Sequence, residues 1–375
     1  GNNMRWIRSL PIWVPAFVLA ASIPCAAQLP GERPDPLARI REAAKTNVEA
    51  CSASGETLCE QVAPKIIANA EGDSPLAENV RQLALTESNR ETATPEAAVS
   101  WAVAAFGAAG VKVHTETNAI PVSVPDRASA AREVVVAEIR GREKPDEWVL
   151  LGAELGANNV EPATNASNAA LVVEAARDIE LTGIKPRRSI RFVLFTGENK
   201  NGTASWAYVR AHRDDFNRAR AAIFFRGGAN RMTGYLLNGR RDIEPGVREA
   251  TKPVESLGAT QVRFGAALCD ECLDFLLEGI PTILADQGAA QLSRPPREFR
   301  DSLDTVDTLD IRELKRNTAI AAVTAFGIAE LVEPLGPRQS RAEIESLLKA
   351  TGLDKQMKIA GFWPLWESGQ RGRLP

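Results

Sequence analysis

The chain has 375 residues, 45 basic and 48 acidic side chains, a formal net charge of −3, and 44% hydrophobic residues. Near-balanced charge spread along the chain excludes the footprint of a nucleic-acid-binding protein, and the apolar content can build a substantial core. Histidine is scarce, with His114 and His212 alone, which limits imidazole chemistry.

Met4 reads as the start residue. Arg5 and Arg8 precede an apolar run from Leu10 to Ile23 and a small-x-small site at Cys25-Ala26-Ala27, the layout of a secretory signal. The run is short and broken by Pro11 and Pro15, which argues against a retained membrane anchor, and Pro24 argues against lipoprotein processing. Export with cleavage near Ala27 is therefore expected, to the periplasm or the exterior. That leaves Cys51, Cys59, Cys269 and Cys272, for which sequence proximity in an oxidising compartment favours bridges 51–59 and 269–272. A zinc reading of "CDEC" lacks a second ligand pair, and a redox role for it rests on Cys-x-x-Cys alone.

Residues 28–36 form a Pro-rich lead. Leu37 to about Ala84 reads as helices, with a break at Gly72-Asp73-Ser74-Pro75. Thr94 as N-cap and Pro95 at the first helical position open a helix that runs to Gly110, with Ala97, Ala98, Trp101, Ala105 and Phe106 on one face. "VKVHTET", "EVVVAEI" and "EWVLLGA" are expected strands, the first two joined by a hairpin-like connection over Asp126–Arg132. Then follow a helix at Ala169–Leu181, the strand "SIRFVLF", a helix at Ala204–His212, the strands "AAIFF" and "PTILA", and a long helix at Arg312–Leu331.

Continuous apolar strands bounded by helices imply a sheet covered on both faces. The expected fold class is α/β: a three-layer α/β/α sandwich on a mixed, largely parallel sheet. The expected organisation is a signal segment (1–27), a lead with helices packing on the core (28–95), the α/β domain (96–335) and a C-terminal appendage (336–375). That appendage reads as one helix, Arg341–Ala350, followed by the aromatic tail "GFWPLW".

The stretch "EVVVAEIRGREKPDEWVLLGAEL" closely resembles the zinc-dependent exopeptidases of metallopeptidase family twenty-eight, the aminopeptidases and carboxypeptidase Q-like enzymes. "KPRRSIRFVLFTGENKNG" follows that family almost residue for residue. "GAALCDECLDFLLEGIPTILAD" and "DTVDTLDIRELKRNTAIAAVTAFGIAEL" match its order and spacing, and "PEAAVSWAVAAFGAAGVKVHTE" resembles its N-terminal helix and strand. The resemblance runs from about Glu96 to Glu333, without an inserted protease-associated domain.

It implies the zinc-exopeptidase fold and a centre of two zinc ions, held by His and carboxylate ligands around a bridging carboxylate, with a Glu as general base. Carried over position by position, the first His falls on Glu154 and the Asp two residues later on Gly156. The bridging Asp falls on Asn165. The Glu-Glu pair falls on Glu198-Asn199, so the base is kept and the adjacent ligand is not. The next carboxylate falls on Arg226 and the final His on Arg300, just ahead of Asp304 and Asp307 in "DTVD". An amide or a guanidinium supplies neither an anionic oxygen nor a neutral imidazole, and the Glu154 carboxylate, which could ligate zinc, would stand among Asn165, Asn199, Arg226 and Arg300; metal ligands are therefore expected at none of the substituted positions Glu154, Asn165, Asn199, Arg226 and Arg300.

Glu198 is the candidate catalytic base, with an inherited residue in a polar network as the plainer reading. Arg226 and Arg300 either replace the metal charge, pairing with Glu154, Glu198 or nearby Asp residues, or are ordinary surface arginines. His114 and His212 are expected to be structural or solvent-facing, Asp304 and Asp307 to cap and order a loop, and "SRPPREFRDS" to be a solvated basic loop. The function that follows is an exported, catalytically inactive pseudopeptidase binding a peptide, a small anion or a protein partner in the old cleft. It needs no cofactor, nucleic acid or stable membrane anchor. The alternatives are an active zinc aminopeptidase or exopeptidase with shifted ligands, and a metal-independent hydrolase using Glu198.

Overall fold

Near-continuous burial along the central strands, covered on both faces, decides this architecture. A computed structural model describes residues 58–88, 94–119, 132–156, 162–196, 203–287 and 306–374. The leader and Pro-rich lead, Cys51, the connection from Asp126 to Ala131, Glu198, Asn199, Arg300, Asp304 and the "SRPPREFRDS" loop lie outside them.

Helices α1 (Leu58–Glu71), α2 (Leu76–Ser88) and α3 (Pro95–Ala108) lead into strands β1 (Lys112–Asn118), β2 (Arg132–Ile139) and β3 (Lys144–Leu155). Helix α4 (Pro162–Leu181), β4 (Arg188–Thr196), α5 (Thr203–Ala211), β5 (Ala219–Phe224), β6 (Gly234–Leu236), α6 (Glu244–Thr251) and β7 (Gln261–Arg263) follow. Then come α7 (Asp270–Leu277), β8 (Thr282–Asp286), α8 (Ile311–Glu330), α9 (Arg341–Thr351), α10 (Leu353–Ala360) and α11 (Trp363–Glu367).

The strands form one eight-stranded sheet in the order β1-β2-β4-β3-β5-β8-β6-β7. Its centre, β4-β3-β5-β8, is parallel, while β1-β2, β2-β4 and β8-β6 pair antiparallel. This is the expected mixed sheet with helices on both sides.

Side chains alternate across the strands, so each face builds its own core. Val149, Leu151, Ala153, Ile190, Phe192 and Leu194 pack beneath α1–α4 and α8. Trp148, Leu150, Val193, Phe195 and Phe224 face α5 and α7. On this second face Phe275 of α7 lies 5.3 Å from Phe224 and 5.9 Å from Phe195, ring centre to ring centre. A fully buried aromatic of this kind contributes roughly 1.5–3 kcal/mol through burial alone. Gly152 makes room for the contact, since a Cβ there would stand 2.9 Å from Phe224 Cε1.

Local signals hold where they are strong. Thr94 Oγ1 accepts from Ala97 N at 3.2 Å with Pro95 at the first helical position, as the sequence implies. The face of α3 is rotated from the expected one: Ala98, Val99, Ala102 and Phe106 are buried, while Ala97, Trp101 and Ala105 are only half-buried. Helix α4 begins at Pro162, well ahead of the expected Ala169, because Ala163, Ala166, Ser167 and Asn168 are buried as a helical turn despite their polar look. β6, β7, α6 and α7 are short elements the apolar pattern does not reveal.

The C-terminal segment is more structured than one helix and a tail. Ser340 and Glu343 form a reciprocal capping box on α9, and Gly352 at φ 75° turns the chain into α10. "GFWPLW" forms α11, whose Trp363 and Trp366 bury with Phe362 against Leu273, Leu276 and Leu277 of α7. Beyond it Arg371, itself buried, reaches Asp274 of α7 with Nε at 2.7 Å and Nη2 at 2.8 Å. Ser205 of α5 donates to the same carboxylate at 2.8 Å, so one ion pair ties the chain end to α5 and α7.

Cys269 and Cys272 are joined as expected, and Cys269 also caps α7. Cys59 is a buried free thiol rather than the partner of Cys51, because it faces the α1 core; burial pushes it up to about 12. No described helix is long and apolar enough to cross a membrane.

Candidate functional site

The carboxyl ends of parallel strands are where backbone leaves the sheet and loops can present groups to one space. Here β3 and β5 pair in parallel with Gly152 opposite Phe224, and Phe225 N donates to Gly152 O at 3.3 Å. Glu154 is the penultimate residue of β3, and Arg226 stands two residues past β5. Glu154 is half-buried and Arg226 is 40% exposed.

One partner of Arg226 comes from a third element. Arg226 Nε stands 3.8 Å from Glu271 Oε1 in the first turn of α7, and the Glu271 side chain is 2% exposed. Burial raises the Glu271 carboxyl above its ordinary value, and the Arg226 guanidinium opposes that rise. Glu271 sits between the bridged cysteines, so the disulfide closes the turn that carries it. In the sequence "CDEC" signals its two cysteines, and nothing local marks the carboxylate between them.

The loop after Arg226 is held by buried amides. Gly228 N donates to Asn168 Oδ1 of α4 at 2.8 Å. Asn317 of α8 donates to the carbonyls of Asn230 at 2.8 Å and Gly228 at 3.3 Å, and accepts from Met232 N at 3.2 Å. Gln287, just past β8, donates to the Asn230 carbonyl at 3.3 Å, and a Cβ on Gly227 would collide with its amide. Asn168, Asn317 and Gln287 carry no motif; only their burial marks them.

Of the positions assigned by resemblance, Glu154, Gly156, Asn165 and Arg226 are described. Glu198, Asn199 and Arg300 are not. Gly156 has φ +60°, and a Cβ there would lie 2.6 Å from Ala98 Cβ on α3, so the backbone leaves little room for an Asp ligand. Asn165, half-buried in the first turn of α4, offers an amide in place of a bridging carboxylate. Arg226 puts a cation at the position that the resemblance gives to an anionic ligand. Among the described positions Glu154, Gly156, Asn165 and Arg226, this donor set does not fit a zinc pair. Among the described residues no group of three or more His, Cys, Asp or Glu is arranged to hold a metal ion.

The two histidines stand elsewhere, on one carboxylate. Glu116 of β1 meets His114 Nε2 at 3.0 Å and His212 Nε2 at 2.6 Å. Burial alone would raise Glu116, but the two imidazoles hold it at about 2. Asp307 lies exposed in a short turn, Val306–Thr308, ahead of α8.

The sequence profile of peptidase family M28 matches residues 134–325. Human carboxypeptidase Q is 25% identical over 155 residues, which are 41% of this chain and 32% of that protein. Rat carboxypeptidase Q is 26% identical over 129 residues, 34% of this chain and 27% of its own. The matches thus span about a third of the length of these relatives.

Among solved structures, a peptidase M28 precursor from Shewanella amazonensis superposes with a TM-score of 0.63 at 16% identity, over 76% of this chain and 99% of that one. The LapA aminopeptidase of Legionella pneumophila gives 0.53 at 16% identity, over 72% and 76%. A glutaminyl cyclase of Porphyromonas gingivalis gives 0.52 at 16%, over 66% and 96%. At these identities the likeness is one of fold.

Proposed function

Because this chain belongs to peptidase family M28, we propose that it is a pseudopeptidase, keeping the family's scaffold as an exported binding protein without peptide-bond hydrolysis. The reading rests on one observation: the Arg226–Glu271 ion pair occupies the end of β5, where the resemblance places an anionic metal ligand. A fixed guanidinium repels a dication and attracts an anion, so the cleft suits the carboxylate of a peptide, a small anion or an acidic protein segment. The Cys269–Cys272 bridge supports export, since such bridges persist in oxidising compartments.

The match to carboxypeptidase Q favours a second reading, a zinc exopeptidase whose ligands come from shifted positions. One experiment separates the two. The full chain, purified without added zinc, is assayed for metal by mass spectrometry and for release of an amino acid from aminoacyl-nitroanilides. The pseudopeptidase reading expects substoichiometric zinc and hydrolysis no faster than buffer. About two zinc ions per chain with chelator-sensitive hydrolysis establishes the exopeptidase. Hydrolysis that survives chelator and is lost in Glu198→Gln establishes a metal-independent hydrolase.

A further inference from the structure

Helix α4 carries two carboxyl groups one turn apart, Glu174 and Asp178, and both are fully buried. They lie against the α1–α2 hairpin. Arg177 stands between them, its Nη1 2.8 Å from Glu174 Oε1 and 3.4 Å from Asp178 Oδ1, while Nη2 donates to the Asp73 carbonyl in the hairpin turn. Ser74 of the same turn favours the charged form of Glu174. From α1, Asn69 Nδ2 donates to the main-chain carbonyl of Asp178 at 3.0 Å. From α8, Lys315 faces the pair and donates to the carbonyls of Glu71 and Gly72.

Two cations face two carboxylates, but the hydrogen bonds do not close. Arg177 and Lys315 each divide their donors between this pair and hairpin carbonyls, and Glu174 Oε2 and Asp178 Oδ2 are buried without a hydrogen-bond partner. Two such carboxylates side by side are costly, and a single proton removes one charge and supplies a donor. Burial pushes Asp178 up to about 8, with Glu174 adding to the rise and Arg177 and Lys315 opposing it. Burial raises Glu174 as well, against Arg177, Ser74 and Lys315.

We propose that the Glu174–Asp178 pair is a proton-dependent latch for the α1–α2 hairpin: the docked hairpin holds a proton that the undocked one releases. Helix α2 also packs on the Val306–Thr308 turn that leads into α8, so the latch joins proton concentration to that turn. For an acid raised in the docked state, docking is strongest below its free value and weakens as pH rises. The hairpin's opening constant should climb up to about tenfold per pH unit from roughly pH 4, and level off above the raised value of Asp178.

Hydrogen exchange read by mass spectrometry on the full chain, corrected for intrinsic chemistry, tests this between pH 5 and 9. Residues 58–88 are expected to lose protection with rising pH while β3, β4 and β5 hold theirs. Asp178→Asn, which fixes the neutral shape, should flatten the dependence. Glu174→Gln, which removes the neighbouring charge, should move the plateau to lower pH. A slope unchanged in both variants, or hairpin exchange that follows the central strands at every pH, overturns the latch.

Discussion

Arg226 and Glu271 meet at 3.8 Å across the end of the sheet, a half-exposed guanidinium on a carboxylate that is 2% exposed. The carboxylate is the costly member, since it is the one removed from water. Arg226→Met should destabilise the protein by about 1–2 kcal/mol, less than a fully buried pair because the guanidinium is partly solvated. Adding Glu271→Gln should restore most of the loss. Urea unfolding of both variants at neutral pH checks this, and a single variant as stable as wild type refutes it.

Asn317 serves three main-chain groups of the loop behind Arg226. Asn317→Ala leaves a buried N–H and a buried carbonyl unpaired, a loss of about 2–4 kcal/mol. Exchange should rise first at residues 227–232. If it rises no faster there than in the central strands, the clamp is not local.

The second core depends on its C-terminal tie. Arg371 and Asp274 are each 1% exposed and joined by two hydrogen bonds, with Ser205 on the same carboxylate. Arg371→Ala strands a buried carboxylate and should cost about 3–5 kcal/mol. Thermal unfolding of this variant should fall well below that of a surface control such as Arg140→Ala.

Glu116 predicts an acid limb. Its carboxyl is held at about 2 by His212 and His114 against burial, far below the ordinary carboxylate range. For a depressed acid the stabilisation is present above the unfolded value and lost as pH falls through the folded one. Stability should therefore decline between roughly pH 4.5 and 2, with up to about 3 kcal/mol resting on this group. Glu116→Gln should lower stability at neutral pH and flatten that limb; an unchanged limb in equilibrium unfolding rules the linkage out.

The sequence shows most of the sheet because strands such as Ile190–Phe195 are buried on both faces and read as unbroken apolar runs. The α3 cap was legible for the same local reason: Thr94 and Pro95 act on the residues beside them. α4 was harder to read. Pro162 to Asn168 looks like loop in composition, yet its small residues are buried, with Asn168 bonded to Gly228. The bridge at Cys269–Cys272 follows from spacing, whereas Cys59 turns into the α1 core and keeps its thiol.

At the site, the sequence by itself determined which residue types stand at Glu154, Gly156, Asn165 and Arg226, and so what chemistry those positions can offer. The tertiary structure alone decided who meets whom. Glu271 reaches Arg226 because Phe275 of α7 packs on Phe224 at the end of β5. Gly156 is closed to a side chain because Ala98 of α3 stands over it. Residue identity and short-range periodicity are properties of the chain, but pairing and steric room belong to the packed layers, where segments remote in sequence share one dry space.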